Sequence, residues 1–315
     1  MTTGGPPGRL LAGGATVVLG AVIALQSRVN GELSQHVGSG LFPAWWTMTT
    51  GFVLLTLIVA SRPSLRRGLA TAVAGARSGA LPWWVFTGGA FGSVFLVTQS
   101  LAVPIVGVAV FTVGVVAGQT TGSLIVDRLG LTGTGRRAVT VNRVAAAVLA
   151  IAAVGVGVSD RLQSAGGVAG LALLAVLAGA LLAPQQAFNG RVGLAAGSPF
   201  AGAWGNFVVG AVLMSVVLLV ALGTGLQLDG AWTAAPWAYV GGVLGFSVIL
   251  GGAWAVPVLG VLVYSLLSLF GQLAGALLLD LVAPTSGTSV GWHLFAGVGM
   301  TAVAVLVASA RGRAR

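Results

Sequence analysis

Two stretches of the chain place the same two carboxamides at the same spacing. Gln26 and Asn30 fall in ALQSRVNGELSQHVGSG, and Gln185 and Asn189 fall in APQQAFNGRVGLAAGSP. Residues four apart share one face of a helix, so each pair can offer two neutral donor and acceptor groups to a ligand or to another helix. Asn-Gly also ends helices, because both residues tolerate the left-handed conformation of a C-cap. The residues after each Asn-Gly remain compatible with helix, however, and stronger stop signals follow at Gly38-Ser39-Gly40 and Gly197-Ser198-Pro199. A helix from Arg9 to about Val37 would be roughly 40 Å long at 1.5 Å per residue, with Gln26 near its middle. Pro184 would release a backbone carbonyl one turn before the second pair, which is tolerated at membrane depth only beside protein or water. A kink beside a cavity is expected there.

Further polar candidates share this apolar setting. Gln119 and Gln272 follow Pro104 and Pro257 by fifteen residues, roughly 22 Å along a helix, and can either bind a ligand or bond between helices. Trp45, Trp204 and Tyr264 suit a pocket for planar ligands, although aromatics near helix ends also anchor helices at the interface. Asn206 is a further candidate. Arg28 and Glu32 are four apart and can pair, and Glu32 is the acid best placed for proton coupling. Asp127 and Asp280 stand near helix C-termini, where the helix dipole disfavours an acid, which suggests a structural bond or a gate. The small-x-x-x-small pairs Gly88/Gly92, Gly118/Gly122, Gly241/Gly245 and Gly271/Gly275 are explained by close helix packing.

Composition restricts what these groups can do. The chain has 315 residues, 57% apolar and only 6% charged, against about a quarter charged in soluble domains; it reads as an integral membrane protein. Its basic balance comes from fifteen Arg and no Lys, against five acids. These Arg lie between apolar runs rather than on a solvated face, so they are topology signals and not a nucleic-acid surface. Without Lys there is no phosphate-binding loop for ATP hydrolysis. Without Cys, and with only His36 and His293, there is no metal-ligand cluster. No Ser-His-Asp frame is recognisable, and neither an enzyme nor a cofactor is expected.

Ten apolar runs are long enough to cross a bilayer: Leu10 to Val37, Pro43 to Ala60, Leu81 to Leu101, Pro104 to Leu129, Val141 to Val158, Gly166 to Ala196, Pro199 to Leu222, Ala235 to Val256, Pro257 to Val282 and Gly291 to Ala310. Every connection is short except Ser61 to Ala80 and Gly130 to Thr140. This alternation puts thirteen Arg on one side and only Arg28 and Arg161 on the other. Both termini are then cytoplasmic by the positive-inside rule. The halves repeat: Gln26, Asn30, Trp45 and Gly51 align with Gln185, Asn189, Trp204 and Gly210, while Pro104, Gly107, Gln119 and Asp127 align with Pro257, Gly260, Gln272 and Asp280. Five crossings per unit force the second copy to insert upside down. The expected fold is an all-α integral membrane protein of ten transmembrane helices in two inverted five-helix repeats, residues 1–160 and 161–315.

The strings Q-x-x-x-N-G, G-S and G-Q-x-x-G-x-L-x-x-D, within this architecture, resemble the YdcZ-type branch of the drug/metabolite transporter superfamily, in a fused ten-helix form. The resemblance covers nearly the whole chain. It implies a multi-pass protein of the bacterial inner membrane and a transporter role. In the small multidrug-resistance branch of that superfamily a first-helix Glu couples protons to drug movement, and that position falls here on Leu25 or Gln26, which cannot titrate. The expectation is a secondary transporter, an exporter of a small amphipathic metabolite or drug, powered by an ion or substrate gradient and working as a monomer or homodimer. Gln26, Asn30, Gln185 and Asn189 would contact the substrate, with Gln119 and Gln272 behind them. A membrane scaffold without transport and a passive channel are the alternatives.

Overall fold

The computed structural model describes residues 6–157, 169–228, 235–282 and 292–309, all helix, turn or loop without a strand among them. The helices are α1 (Pro6–Val37), α2 (Leu41–Ser61), α3 (Pro63–Arg77), α4 (Gly88–Leu129), α5 (Val141–Gly157), α6 (Ala169–Ala195), α7 (Pro199–Gly223), α8 (Gly241–Leu259), α9 (Val261–Val282) and α10 (Trp292–Ser309). Among the described residues, six segments are long and apolar enough to cross a membrane: Gly8–Val37, Leu41–Ser61, Leu173–Ala195, Pro199–Gly223, Pro236–Leu259 and Val261–Leu279. Shorter apolar helices cover Val141–Ala153 and Phe295–Val307. Large apolar side chains such as Val53, Leu57, Val212, Val216, Leu219 and Leu306 face outward. On a soluble protein such a belt would be an association surface; here it faces lipid.

The long first helix forms as expected. Asn30-Gly31 and Asn189-Gly190 are helical, and the chain turns instead at Gly38 (φ 71°) and Gly197 (φ 64°), where the missing Cβ admits the left-handed conformation. Two elements differ from expectation. The connection Ser61 to Ala80 contains α3, whose buried Gly68 and Ala72 lie one turn apart, while Arg66, Arg67 and Arg77 point outward. From the sequence alone its arginines mark it as a charged connection. The helices expected over Leu81 to Leu101 and Pro104 to Leu129 run together as α4, preceded by a short 3-10 turn at Trp83–Thr87. The α4 run nevertheless folds back on itself. The rings of Phe95 and Phe111 are 5.9 Å apart, whereas sixteen residues of straight helix would separate them by about 24 Å. In the other half the corresponding reversal is open to view, with Pro257 inside α8 and Gly260 at φ 83° between α8 and α9.

Glycines let the helices approach one another closely. In α1 against α9, Gly20 meets the Ser268 backbone and Gly271 meets the Val17 backbone; in α6 against α4, Gly179 meets the Val115 backbone and Gly118 meets the Val176 backbone. Each contact is the repeat counterpart of another. Likewise Gly51 faces the ring of Phe207, and its counterpart Gly210 faces Met48, where α2 packs on α7. The packing role expected of Gly118/Gly122 and Gly271/Gly275 is therefore seen. The expected division between residues 160 and 161, together with Arg161, lies outside the described residues.

A Cβ at Gly118 or Gly271 would overlap a carbonyl oxygen. Gly118→Ala and Gly271→Ala should each destabilise the protein by about 1–3 kcal/mol, the usual range for overpacking, read as a lower thermal midpoint in detergent. Gly14→Ala and Gly155→Ala, where no atom lies within 4 Å, should leave the midpoint unchanged or raise it.

Candidate functional site

The two carboxamide pairs are seated on two glycine pairs. Gln185 and Asn189 of α6 lie against Gly92 and Gly88 of α4, and Gln26 and Asn30 of α1 lie against Gly245 and Gly241 of α8. A Cβ on any of these four glycines would come within 3 Å of the amide it faces. Gly88/Gly92 and Gly241/Gly245 thus do more than bring backbones together: they open the notch in which each amide sits. The amides also bond to protein. Gln26 Nε2 donates to the Gly241 carbonyl (3.3 Å), and the Thr47 hydroxyl donates to Asn30 Oδ1 (3.3 Å). Gln185 Nε2 and Asn189 Nδ2 both donate to Asn206 Oδ1, each at 3.0 Å. Asn206 is 1% exposed and its Nδ2 has no partner.

Between these pairs is a cavity of about 120 Å³. Six of the ten residues expected to bind substrate line it: Gln26, Gln119, Gln185, Asn189, Gln272 and Tyr264. Four do not. Asn30 is held by Thr47 beside Gly241, and Asn206 stands behind Gln185 and Asn189 as their anchor. Trp45 Nε1 donates to Ser215 Oγ, and its counterpart Trp204 donates to Thr56 Oγ1, each at 3.0 Å. These two indoles tie α2 to α7 and do not line this cavity. Gln186, Ser268, Thr47, Phe95 and Phe207 also line the cavity and were not singled out in the sequence. Gln186 adjoins Gln185, but comparison of the halves passes over it because its counterpart is Ser27. Pro184 is not a lining residue. The carbonyl it releases, on Ala180, lies against Gly122 of α4, so neighbouring helix and not cavity occupies the site of the expected kink.

Asp127 resolves the expectation for an acid at a helix end. It closes the C-terminus of α4, where the dipole opposes it, but its carboxylate is 1% exposed and accepts from the backbone N–H of Val261 (3.0 Å) and Leu262 (3.3 Å). Those are the first two residues of α9, whose dipole favours an anion. Its ion pair is with Arg143 of α5 and not with the adjacent Arg128. Arg137 Nη1 donates to the Leu259 carbonyl (3.1 Å) on the other side of the Gly260 break. The side chain of Asp280 lies outside the described residues. Glu32 is half-buried, its carbonyl bonded to the His36 ring, and Arg28 is half-buried as well; neither lines the cavity. No metal-ligand cluster occurs among the described residues.

Residues 11–156 and 170–307 match the family model described as "Putative inner membrane exporter, YdcZ", within the drug/metabolite transporters. The chain belongs to the YdcZ family. It is a multi-pass transmembrane protein of the bacterial inner membrane, and its family is one of transporters rather than enzymes. A crystal structure described only as "Crystal structure of protein" shares its fold, with a TM-score of 0.68, 17% identity, and coverage of 99% of this chain and 100% of that one. No curated protein matches it.

Two outcomes follow for this YdcZ protein. Asp127→Asn would leave Arg143 without its counter-charge, and breaking such a buried pair costs roughly 3–5 kcal/mol. Thermal unfolding should show a loss at the lower end of that range, since Arg143 is slightly exposed, and Asp127→Asn with Arg143→Gln should recover part of it. Gly92→Ala should displace Gln185 from its notch and reduce substrate flux at least tenfold in a reconstituted assay, a larger effect than that of Gly14→Ala.

Proposed function

We propose that the protein is a secondary exporter that works by alternating access, with two inverted five-helix halves, residues 1–160 and 161–315, rocking about the amide-lined cavity. Both termini are cytoplasmic in this reading. The paired glycine, tryptophan and carboxamide contacts support the two-fold relation between halves, and so do the two segments of the family match. The α4 run then supplies two crossings, one on each side of its reversal, which brings the total to ten. The charge pattern supports the orientation: the Arg-rich α3 and the Asp127–Arg143 connection belong to one face, and the corresponding second-half loops carry no Arg.

The observation that carries alternating access is the unequal closure of two equivalent ends. On one side, Gln186, Asn189, Gly252 and Tyr264 all line the cavity. Their repeat counterparts are Ser27, Asn30, Gln99 and Phe111, and none of these lines it. There Gln99 Nε2 donates to Ser27 Oγ (3.3 Å), Thr47 holds Asn30, and the Phe111 ring meets Phe95. Gly252 has no side chain with which to repeat the Gln99 bond toward Gln186. A two-fold framework closed at one end and extended at the other is what a rocking transporter requires. The cavity extends toward the Asn189 end, the cytoplasmic one in this orientation. The substrate is a small molecule, with Gln26, Gln185, Asn189, Gln119, Gln272 and Tyr264 as its contacts, Asn206 and Asn30 as their supports, and Asp127 as a cytoplasmic-side latch between the halves.

The cysteine-free sequence permits single-cysteine labelling without background. In sealed vesicles of known sidedness, a membrane-impermeant maleimide should modify Gln186→Cys from the cytoplasmic face and leave Ser27→Cys unmodified. Conditions that drive export should expose Ser27→Cys from the opposite face. Simultaneous access at both positions would indicate a channel, and access at neither would indicate a scaffold. In the same protein, Asn30→Ala with Asn189→Ala should lower transport at least tenfold while the protein remains folded.

A further inference from the structure

Among the described residues, the cavity lining has many hydrogen-bonding groups and no charge. Five glutamines and Asn189 line it, together with the hydroxyls of Thr47, Ser268 and Tyr264, and none of the lining residues is an acid, Arg or His. Of the ionisable groups expected to couple or gate, the three whose side chains are described are elsewhere: Asp127 is occupied at the start of α9 and paired with Arg143, and Glu32 and Arg28 are outside the lining. An ion entering from water would therefore lose its hydration with no counter-ion to replace it, a loss that amide dipoles only partly compensate. The faces of Phe95 and Phe207 can attract a cation, but the return from an aromatic face is small beside that loss.

The hydrogen bonds of the wall also bear on what fits. Gln26, Gln185 and Asn189 each commit one N–H to protein, which leaves each amide a carbonyl oxygen to accept and a second N–H to donate. Gln186 Oε1 accepts from Ser265 (3.4 Å), and its two N–H groups can donate. A solute satisfying both kinds of group must itself donate and accept.

We propose that the site binds a small uncharged solute with both donors and acceptors, of the primary amide or polyol class, and excludes ions of either sign. This rests on the cavity being the transport site. Acetamide, acetate and acetamidinium test it, because they share one shape and differ in charge. Saturation-transfer NMR of each methyl signal, with purified protein in nanodiscs, should show at least five times more transfer to acetamide than to either ion at equal concentration. Gln119→Leu with Gln272→Leu, which keeps the cavity filled but removes two amides, should reduce transfer to acetamide at least threefold without raising transfer to either ion. Independently of any variant, glycerol should displace acetamide from the unmodified protein. Equal or stronger transfer to either ion would overturn the proposal, as would no transfer to acetamide. The labelling of Ser27→Cys and Gln186→Cys separates the two readings. Sided labelling with acetamidinium preferred would leave a transporter of another substrate class, whereas acetamide preference without sided labelling would leave a neutral-solute site in a protein that does not transport.

Discussion

A carboxamide in the middle of an apolar bundle must find its partners within the protein, because lipid offers none. The rest of the site follows from how this chain meets that demand. Gln26, Asn30, Gln185 and Asn189 reach their partners because the facing helices carry glycine one turn apart, at Gly88/Gly92 and Gly241/Gly245. With a Cβ at those positions the amides would have to move toward the cavity or the helices would have to separate. Asn206 adds a second constraint in one half only, drawing the Gln185 and Asn189 N–H groups onto a single oxygen. The polar character of the cavity and the closeness of its walls thus have one cause.

The same economy of contacts joins the halves at the helix break. Gly260 reverses the chain between α8 and α9 and leaves the first N–H groups of α9 without intrahelical acceptors. Asp127 supplies two of those acceptors from the other half, and Arg143 and Arg137 fix the acid and the preceding carbonyl. An acid that is poorly placed on its own helix becomes well placed on its neighbour's. The corresponding stretch of the second half, residues 283–291, carries no Arg.

Much of the fold could be read from the sequence, because apolar run length and internal repetition are strong signals. Helix α1 and its stop at Gly38 were legible from Gly38-Ser39-Gly40, and membership of the family was legible from the Q-x-x-x-N-G and G-Q-x-x-G strings. Helix α3 was not, since fifteen residues with three arginines look like a charged connection until their buried face finds a neighbour. Repetition identified Gln26 with Gln185 and Gln119 with Gln272, but it also raised Trp45 and Trp204, whose two-fold role is to fasten α2 to α7. Symmetry in sequence marks what both halves need, whether for binding or for packing. It missed Gln186, which matters because its counterpart differs. The glycine notches were hidden for a related reason: a small-x-x-x-small pair has the same sequence whether it receives a backbone or an amide.

The central claim is that two equivalent ends open in turn about one cavity. Its most direct measurement is a pair of spin-label distances in nanodiscs, one between positions 35 and 237 and the other between their repeat counterparts 194 and 84. The four labelled residues are Gln35, Trp237, Leu194 and Trp84. Each pair should show a short and a long population, and a bound ligand or an imposed gradient should lengthen one distance while shortening the other. Two single, invariant distances under every condition would contradict the account.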